Sequence, residues 1–286
     1  MSVRGRRATG DGATEMLRRF WSDLGAILIV VGLLAAVSFL PPDTTLAQVR
    51  DTGVLRVCVP DAFPPLVTGR TDDPGVDVEI LRAVADDLGV RLQLVRNSAI
   101  GRDFNPRNWR VTRAQCLLIA GGVVDTTTTR GFLVVTTPHL ETGWVAVTRA
   151  GEAPASLAEV SVGFYAGITG LDRLALSRWL RDQGAEVTVV SSRSDAASGL
   201  EQGRYDVLVS EALTARGIAG ELGASPTWLP VTAAPIPVGF GMWKGDLTLE
   251  RAVETILRGM RRDGRLTAIT ERYELMPAED ACAFCR

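Results

Sequence analysis

Apolar and polar positions in this chain change rhythm in a repeating order. "GVLRVCVP" (residues 53–60) alternates with period two and stops at Pro60, so it predicts a strand running into a loop over 61–66. "VDVEILRAVADDLG" then places Ile80, Val84 and Leu88 four apart, with Gly89 as a C-cap, which predicts an amphipathic helix. "VRLQLV" alternates again. Strand, helix, strand predicts a parallel pair joined by a right-handed crossover.

The same order returns further on. "VSVGFYAG" reads as a strand and "ITGLDRLALSRWLRDQG" as a helix stopped at Gly184. "AEVTVV" is a strand, "SDAASGLEQG" a short helix capped at Ser194 or Asp195, and "RYDVLVSEA" a third strand. "TLERAVETILRGMRRDG" carries Leu249, Val253, Ile256 and Met260 on one stripe and ends at Gly264. Two α/β units joined by extended segments near 143–150 and 233–243 predict a two-lobed molecule.

The start of the chain departs from this rhythm. Arg4, Arg6, Arg7, Arg18 and Arg19 precede the uncharged run Leu24 to Leu40, followed by Pro41, Pro42 and "TLAQ". Small residues at Thr45 and Ala47 suit cleavage after Ala47, so residues 1–47 are expected to be a signal peptide. A retained anchor is the alternative, since ~20 apolar residues span a bilayer. In either case the basic flank places the body outside the cytoplasm.

Composition narrows the classes. The 286 residues are 46% hydrophobic, with 31 basic and 33 acidic side chains and a net charge of −2, which argues against nucleic acid. The four cysteines, an even number in an exported chain, read as disulfides first. Zinc at the terminal "CAFC" (Cys282, Cys285) lacks a second pair, and His139, the single histidine, is distant. No metal and no cofactor are expected.

In open α/β sheets, ligands gather beyond the carboxyl ends of strands. Asp61 and Phe63 follow the first strand, Gly167 to Gly170 follow "VGFY", and Glu211 ends "YDVLVS". "DTTTTRGFL" (residues 125–133) sets threonines beside Arg130: a solvated turn, or the wall of a carboxylate pocket. Arg102, Arg107, Arg110 and Arg113 read as a salt-bridged loop, and Trp109 as a core anchor or a stacking wall. His139 has no nucleophile motif beside it and reads as structural or as a rim residue.

From residue 50 to 276 the chain resembles the family 3 extracellular solute-binding proteins, the polar amino-acid receptors of bacterial ABC importers. "GVLRVCVPDAFPPL" resembles the family's opening strand and loop, and "GVDVEILRAVADDLGVRLQLV" its first helix and second strand. "TTTTRGFLVVTTPHLETGWVAV" resembles its T…R block, "VGFYAGITG" its GTTG loop, and "GRYDVLVSEA" its GRVDAVV segment; the residues from "VGFGMWKGD" to "ITERY" resemble its closing helices. The resemblance implies the two-lobed type II periplasmic-binding fold, divided as lobe 1 over 48–146, lobe 2 over 147–236 and a return to lobe 1 over 237–286. It implies a ligand set of Phe63, Gly122, Thr128, Arg130, Thr169 and Glu211. Arg130 would grip an α-carboxylate with Thr169, Glu211 would take the ammonium, and Phe63 would cover the ligand.

A cysteine in the first strand and another before the glycine run resemble a branch of the family linked to periplasmic quinoprotein dehydrogenases. That likeness implies a Cys58–Cys116 disulfide. The expected function is therefore a non-catalytic, monomeric receptor that captures a small carboxylate or amino-acid-like ligand and presents it to a membrane permease. An accessory protein of an exported dehydrogenase and a cyclohexadienyl-dehydratase-like enzyme are the alternatives.

Overall fold

The computed structural model describes residues 21, 24–25, 27–33, 43–101, 105–149, 156–167, 171–224, 226–231 and 235–275. Met1–Asp43 and Thr44–Arg286 are separate compact units. In the first, residues 27–33 are helical and their large apolar side chains are exposed. Among the described residues no helix is long and apolar enough to cross a membrane. Much of the expected leader, including its arginines and Pro41–Pro42, lies outside the described residues, as do Cys282 and Cys285.

The second unit opens with α1 (Thr45–Thr52) and β1 (Val54–Val59), then α2 (Val76–Leu88) and β2 (Arg91–Arg96). β1 and β2 are parallel from Val54↔Arg91 to Val59↔Arg96, as the alternating pattern predicts. α2 buries Ile80, Leu81, Val84 and Leu88, and Gly89 (φ 73°) closes it with its N–H on the Ala85 and Asp86 carbonyls. β3 (Leu118–Val124) follows a 3-10 turn at Pro106–Trp109, and then come α3 (Thr127–Arg130), β4 (Leu133–Val135) and β5 (Leu140–Thr142).

β6 (Trp144–Thr148) starts the second sheet, followed by β7 (Ser161–Tyr165), α4 (Arg173–Asp182), β8 (Glu186–Val189), α5 (Arg193–Glu201) and β9 (Val207–Glu211). α6 (Ala212–Glu221) and β10 (Thr227–Trp228) complete that lobe. β11 (Ile236–Trp243), α7 (Leu247–Arg262) and α8 (Arg265–Arg272) return to the first. The sheets run β2-β1-β3-β11-β4, with β5 also on β11, and β10-β6-β9-β7-β8. The crossing lies at Gly143, upstream of the expected 146/147 boundary, because β6 pairs antiparallel with β9.

Two details differ from the sequence reading. α5 is capped by Ser192, whose hydroxyl accepts from the Asp195 N–H at 3.1 Å, rather than by Ser194 or Asp195. On α7 the buried stripe is Leu249, Val253, Leu257 and Met260, with Ile256 half-buried beside it.

Cys58 and Cys116 form a disulfide with Cα atoms 5.5 Å apart. It sits fully buried among Ile100, Trp109, Ile119 and Leu133, and the Cys116 carbonyl accepts from Trp243 Nε1 at 2.7 Å. Trp109 is thereby a core anchor, and Ile100, Trp109, Val111 and Cys116 share one buried cluster with Cys58 of β1.

Candidate functional site

A cleft of about 310 Å³ is lined by Pro60, Asp61, Ala62, Ser98, Ile100, Gly101, Gly167 and Arg173. Each segment enters it by the same logic. Pro60–Ala62 follow the carboxyl end of β1, Ser98–Gly101 that of β2, and Gly167 that of β7; Arg173 is the first residue of α4. Both lobes therefore present carboxyl ends of parallel strands to one space, where open α/β sheets bind ligands.

The first-lobe wall is shaped by backbone that only glycine tolerates. Gly121 and Gly122 lie on β3 at φ 93° and 88°. A Cβ on Gly121 would run into the Pro60 ring, and one on Gly122 would come within 2.6 Å of Phe63 Cε1. Asp77 holds this backbone: its buried carboxylate accepts from the Gly121 N–H at 2.8 Å and is 2.8 Å from His139 Nε2. Behind it His139, fully buried and not on a rim, stacks on Phe240 with centroids 4.5 Å apart. Arg96 braces the loop from outside, donating to the Asp61 and Gly69 carbonyls at 3.1 and 3.2 Å.

The second-lobe wall is set by helix capping. Asp172 accepts from the Leu174 and Ala175 N–H groups at 2.9 and 3.0 Å, which starts α4 and places Arg173 at its mouth. Arg173 Nη2 donates to the Gly167 carbonyl at 3.1 Å. The cleft thus carries a carboxylate, Asp61, on one lobe and a guanidinium, Arg173, on the other, and Ser98 of the first lobe also lines it.

None of the expected ligand residues that the structure describes lines this cleft. Phe63 and Gly122 touch each other, but the Phe63 ring is 2% exposed, packed on Gly122 and Leu66, so it is core and not an open lid. Thr128 and Arg130 are exposed on α3, and Arg130 does not line the cleft. Its fork is taken by Asp125, Nε to Oδ1 at 2.5 Å and Nη2 to Oδ2 at 2.6 Å, a hydrogen-bonded pair that raises the guanidinium pKa. Thr169 lies outside the described residues.

Glu211 is fully buried at the lobe crossing instead of facing the cleft. It caps α6, accepting from the Leu213 and Thr214 N–H groups at 2.8 and 2.9 Å, and it also accepts from the Thr142 hydroxyl of the other sheet. Burial pushes its carboxyl above the ordinary range, partly opposed by those three donors. Among the described residues no group of three or more His, Cys, Asp or Glu side chains is placed to hold a metal.

The sequence pattern of the bacterial extracellular solute-binding proteins, family 3, matches residues 55–276. The chain belongs to that family. No curated protein matches the chain. Among solved structures, a mutant of the T. maritima ArgBP matches 80% of this chain and 98% of its own, with 21% identity and a TM-score of 0.59. An ancestral amino acid-binding protein, described as a precursor of cyclohexadienyl dehydratase, matches 80% and 99%, with 19% identity and a TM-score of 0.62. An ABC uptake transporter substrate binding protein from Streptococcus pneumoniae with bound histidine matches 81% and 96%, with 16% identity and a TM-score of 0.62. At these identities the likeness concerns the fold, a two-lobed type II periplasmic-binding architecture.

For a family 3 solute-binding protein, the geometry adds two residues that the sequence reading did not single out, Ser98 and Arg173. Ser98 gives no signal beyond its place after an alternating strand. Arg173 had one, because it directly follows an Asp that suits a helix N-cap in the loop after "VGFY".

Proposed function

We propose that this chain is an exported binding protein that captures a small amino-acid-like or carboxylate ligand between its lobes and delivers it to an ABC-type permease. The observation that carries the reading is the cleft itself, walled by Asp61 from one lobe and Arg173 from the other. A zwitterion satisfies both charges at once, with its cationic group towards Asp61. A ligand that touches both lobes stabilises their closed arrangement by its differential affinity for it. Family membership and the amino-acid-binding neighbours support the same class of ligand. The family's extracellular character supports an extracytoplasmic location.

A second reading, an accessory protein of an exported quinoprotein dehydrogenase, is favoured by the Cys58–Cys116 disulfide that stiffens the cleft wall. Dehydratase chemistry would draw on a pocket acid. Glu211, the candidate, is committed to a helix cap and the crossing, which favours binding over catalysis.

Thermal unfolding of the full chain against amino acids, dicarboxylates and quinone cofactors tests the transport reading. A ligand at 100 times its Kd adds about 2.7 kcal/mol, seen as a higher melting temperature. A shift with one amino-acid-like compound supports it. A panel without any shift contradicts it and favours a protein partner.

A further inference from the structure

We propose that Thr44–Ala47 belong to the mature body, so that export does not end in a cut after Ala47, and that the apolar run before them stays attached as a bilayer anchor. The expected cut falls inside α1, between Ala47 and Gln48. It would remove most of the first turn of a helix that is built into lobe 1. Thr45 is 1% exposed, and its hydroxyl donates to Asp246 Oδ1 at 3.2 Å and accepts from Arg113 Nη2 at 2.8 Å. The Leu46 N–H donates to the Thr248 hydroxyl at 3.2 Å, and the Thr44 carbonyl accepts from the Gln48 N–H at 2.9 Å. Asp246 opens α7 with its side chain buried, and without Thr45 that carboxylate would keep only the half-exposed Arg113 as a side-chain partner. A new α-ammonium at Gln48 would also put a positive charge at a helix N-terminus, the end that disfavours it. Proteolysis concentrates where backbone is exposed and unpaired, and residues 44–47 are the opposite.

The run upstream has the character of lipid-facing chain. Its 17 residues, Leu24 to Leu40, carry no charge, and ~17–25 such residues span a bilayer. Over residues 27–33 the helix has no polar face: the six aliphatic side chains from Ile27 to Leu33 are each 54–65% exposed. A helix that is apolar on every side fits lipid, whereas one seated in a groove on a protein would keep a polar face for solvent. Arg18, Arg19 and Trp21 precede the run, in the order in which basic and aromatic residues flank the cytoplasmic end of a membrane span. The anchor does not depend on what the cleft binds.

To test this, the full chain, tagged at its C-terminus, is expressed in a bacterial host, and the mass and location of the product are read together. The expected product has the mass of the uncut chain, 30.6 kDa plus the tag, and stays with the membrane through an alkaline carbonate wash. Protease added to intact spheroplasts should remove its body, which places that body outside the cytoplasm. A product that begins at Gln48, or anywhere else after Leu24, overturns the anchor. An uncut chain that resists the protease is a precursor left inside, and overturns it too. Thr45→Val removes the hydroxyl without shortening the side chain and checks the reason for retention. Its melting temperature should fall by about 2–4 °C. A melting temperature equal to wild type would mean that lobe 1 does not need residues 44–47, and would overturn the proposal.

Discussion

His139 Nε2 lies 2.8 Å from Asp77 Oδ1, and both side chains are buried to within 1% of full burial. The other Asp77 oxygen accepts from Gly121, so one carboxylate ties the start of α2, the left-handed turn of β3 and the histidine behind it. Asp77→Ala strands the Gly121 N–H and the His139 ring without their partner. The expected cost is about 2–5 kcal/mol, since each buried group left unpaired costs ~1–3 kcal/mol. Urea unfolding measures it; a loss below 1 kcal/mol would mean the pair contributes little to this lobe.

Glu211 predicts a pH dependence. Burial raises its pKa above the ordinary 4.5, so between that value and the higher folded value the native state holds a proton that the unfolded chain has released. Its contribution is therefore fully present below pH 4.5 and is lost as pH rises through the folded pKa. Glu141, also raised by burial, acts in the same direction. Wild type should accordingly lose stability relative to Glu211→Gln as the pH of denaturant titrations is raised from about 4 to 7. Wild type gaining stability relative to Glu211→Gln as the pH rises would reverse the sign assigned here.

The disulfide should matter to both stability and binding. It closes a loop over a sequence separation of 58 residues, so replacing both Cys58 and Cys116 by Ser should cost about 2–4 kcal/mol. Because Ile100 packs in the same cluster and also lines the cleft, the double variant should also bind ligand more weakly at temperatures where it remains folded. Undiminished affinity would separate the disulfide from the cleft wall.

Gly122→Ala probes the other side of that wall. A residue at φ 88° carrying a Cβ within 2.6 Å of Phe63 is both strained and crowded. The expected loss is about 1–3 kcal/mol, with the 60–67 loop displaced. A melting temperature equal to wild type would show that the loop yields easily.

Much of this fold is legible in the sequence because its helices carry their burial pattern openly. Val253 and Met260 on α7, and Ile80, Val84 and Leu88 on α2, recur at helical spacing and are buried. Glycines 89 and 264 mark the chain reversals that follow those helices. The edge strand β8 was legible only by its β-branched residues, since all four positions are exposed and burial imposes no alternation. The site was less legible. Resemblance drew attention to Arg130 and Glu211, but periodicity does not reveal that Asp125, five residues earlier, captures the first. Nor does it reveal that α6 begins directly after Glu211 and takes it as a cap. Arg173 was hidden for the opposite reason, since it shares its segment with Arg178 and Arg181 and looks like one more solvated helix arginine.

The most direct test of the central claim blocks the cleft without disturbing the core. Ser98 is exposed on a turn at the cleft edge, so Ser98→Trp should fold normally while its indole fills the space between Asp61 and Arg173. Calorimetric titration of wild type and Ser98→Trp with the amino acid that most raises the melting temperature should give binding to wild type and none to the variant, at equal ligand-free stability. Equal affinity in both would place the ligand elsewhere and contradict the account.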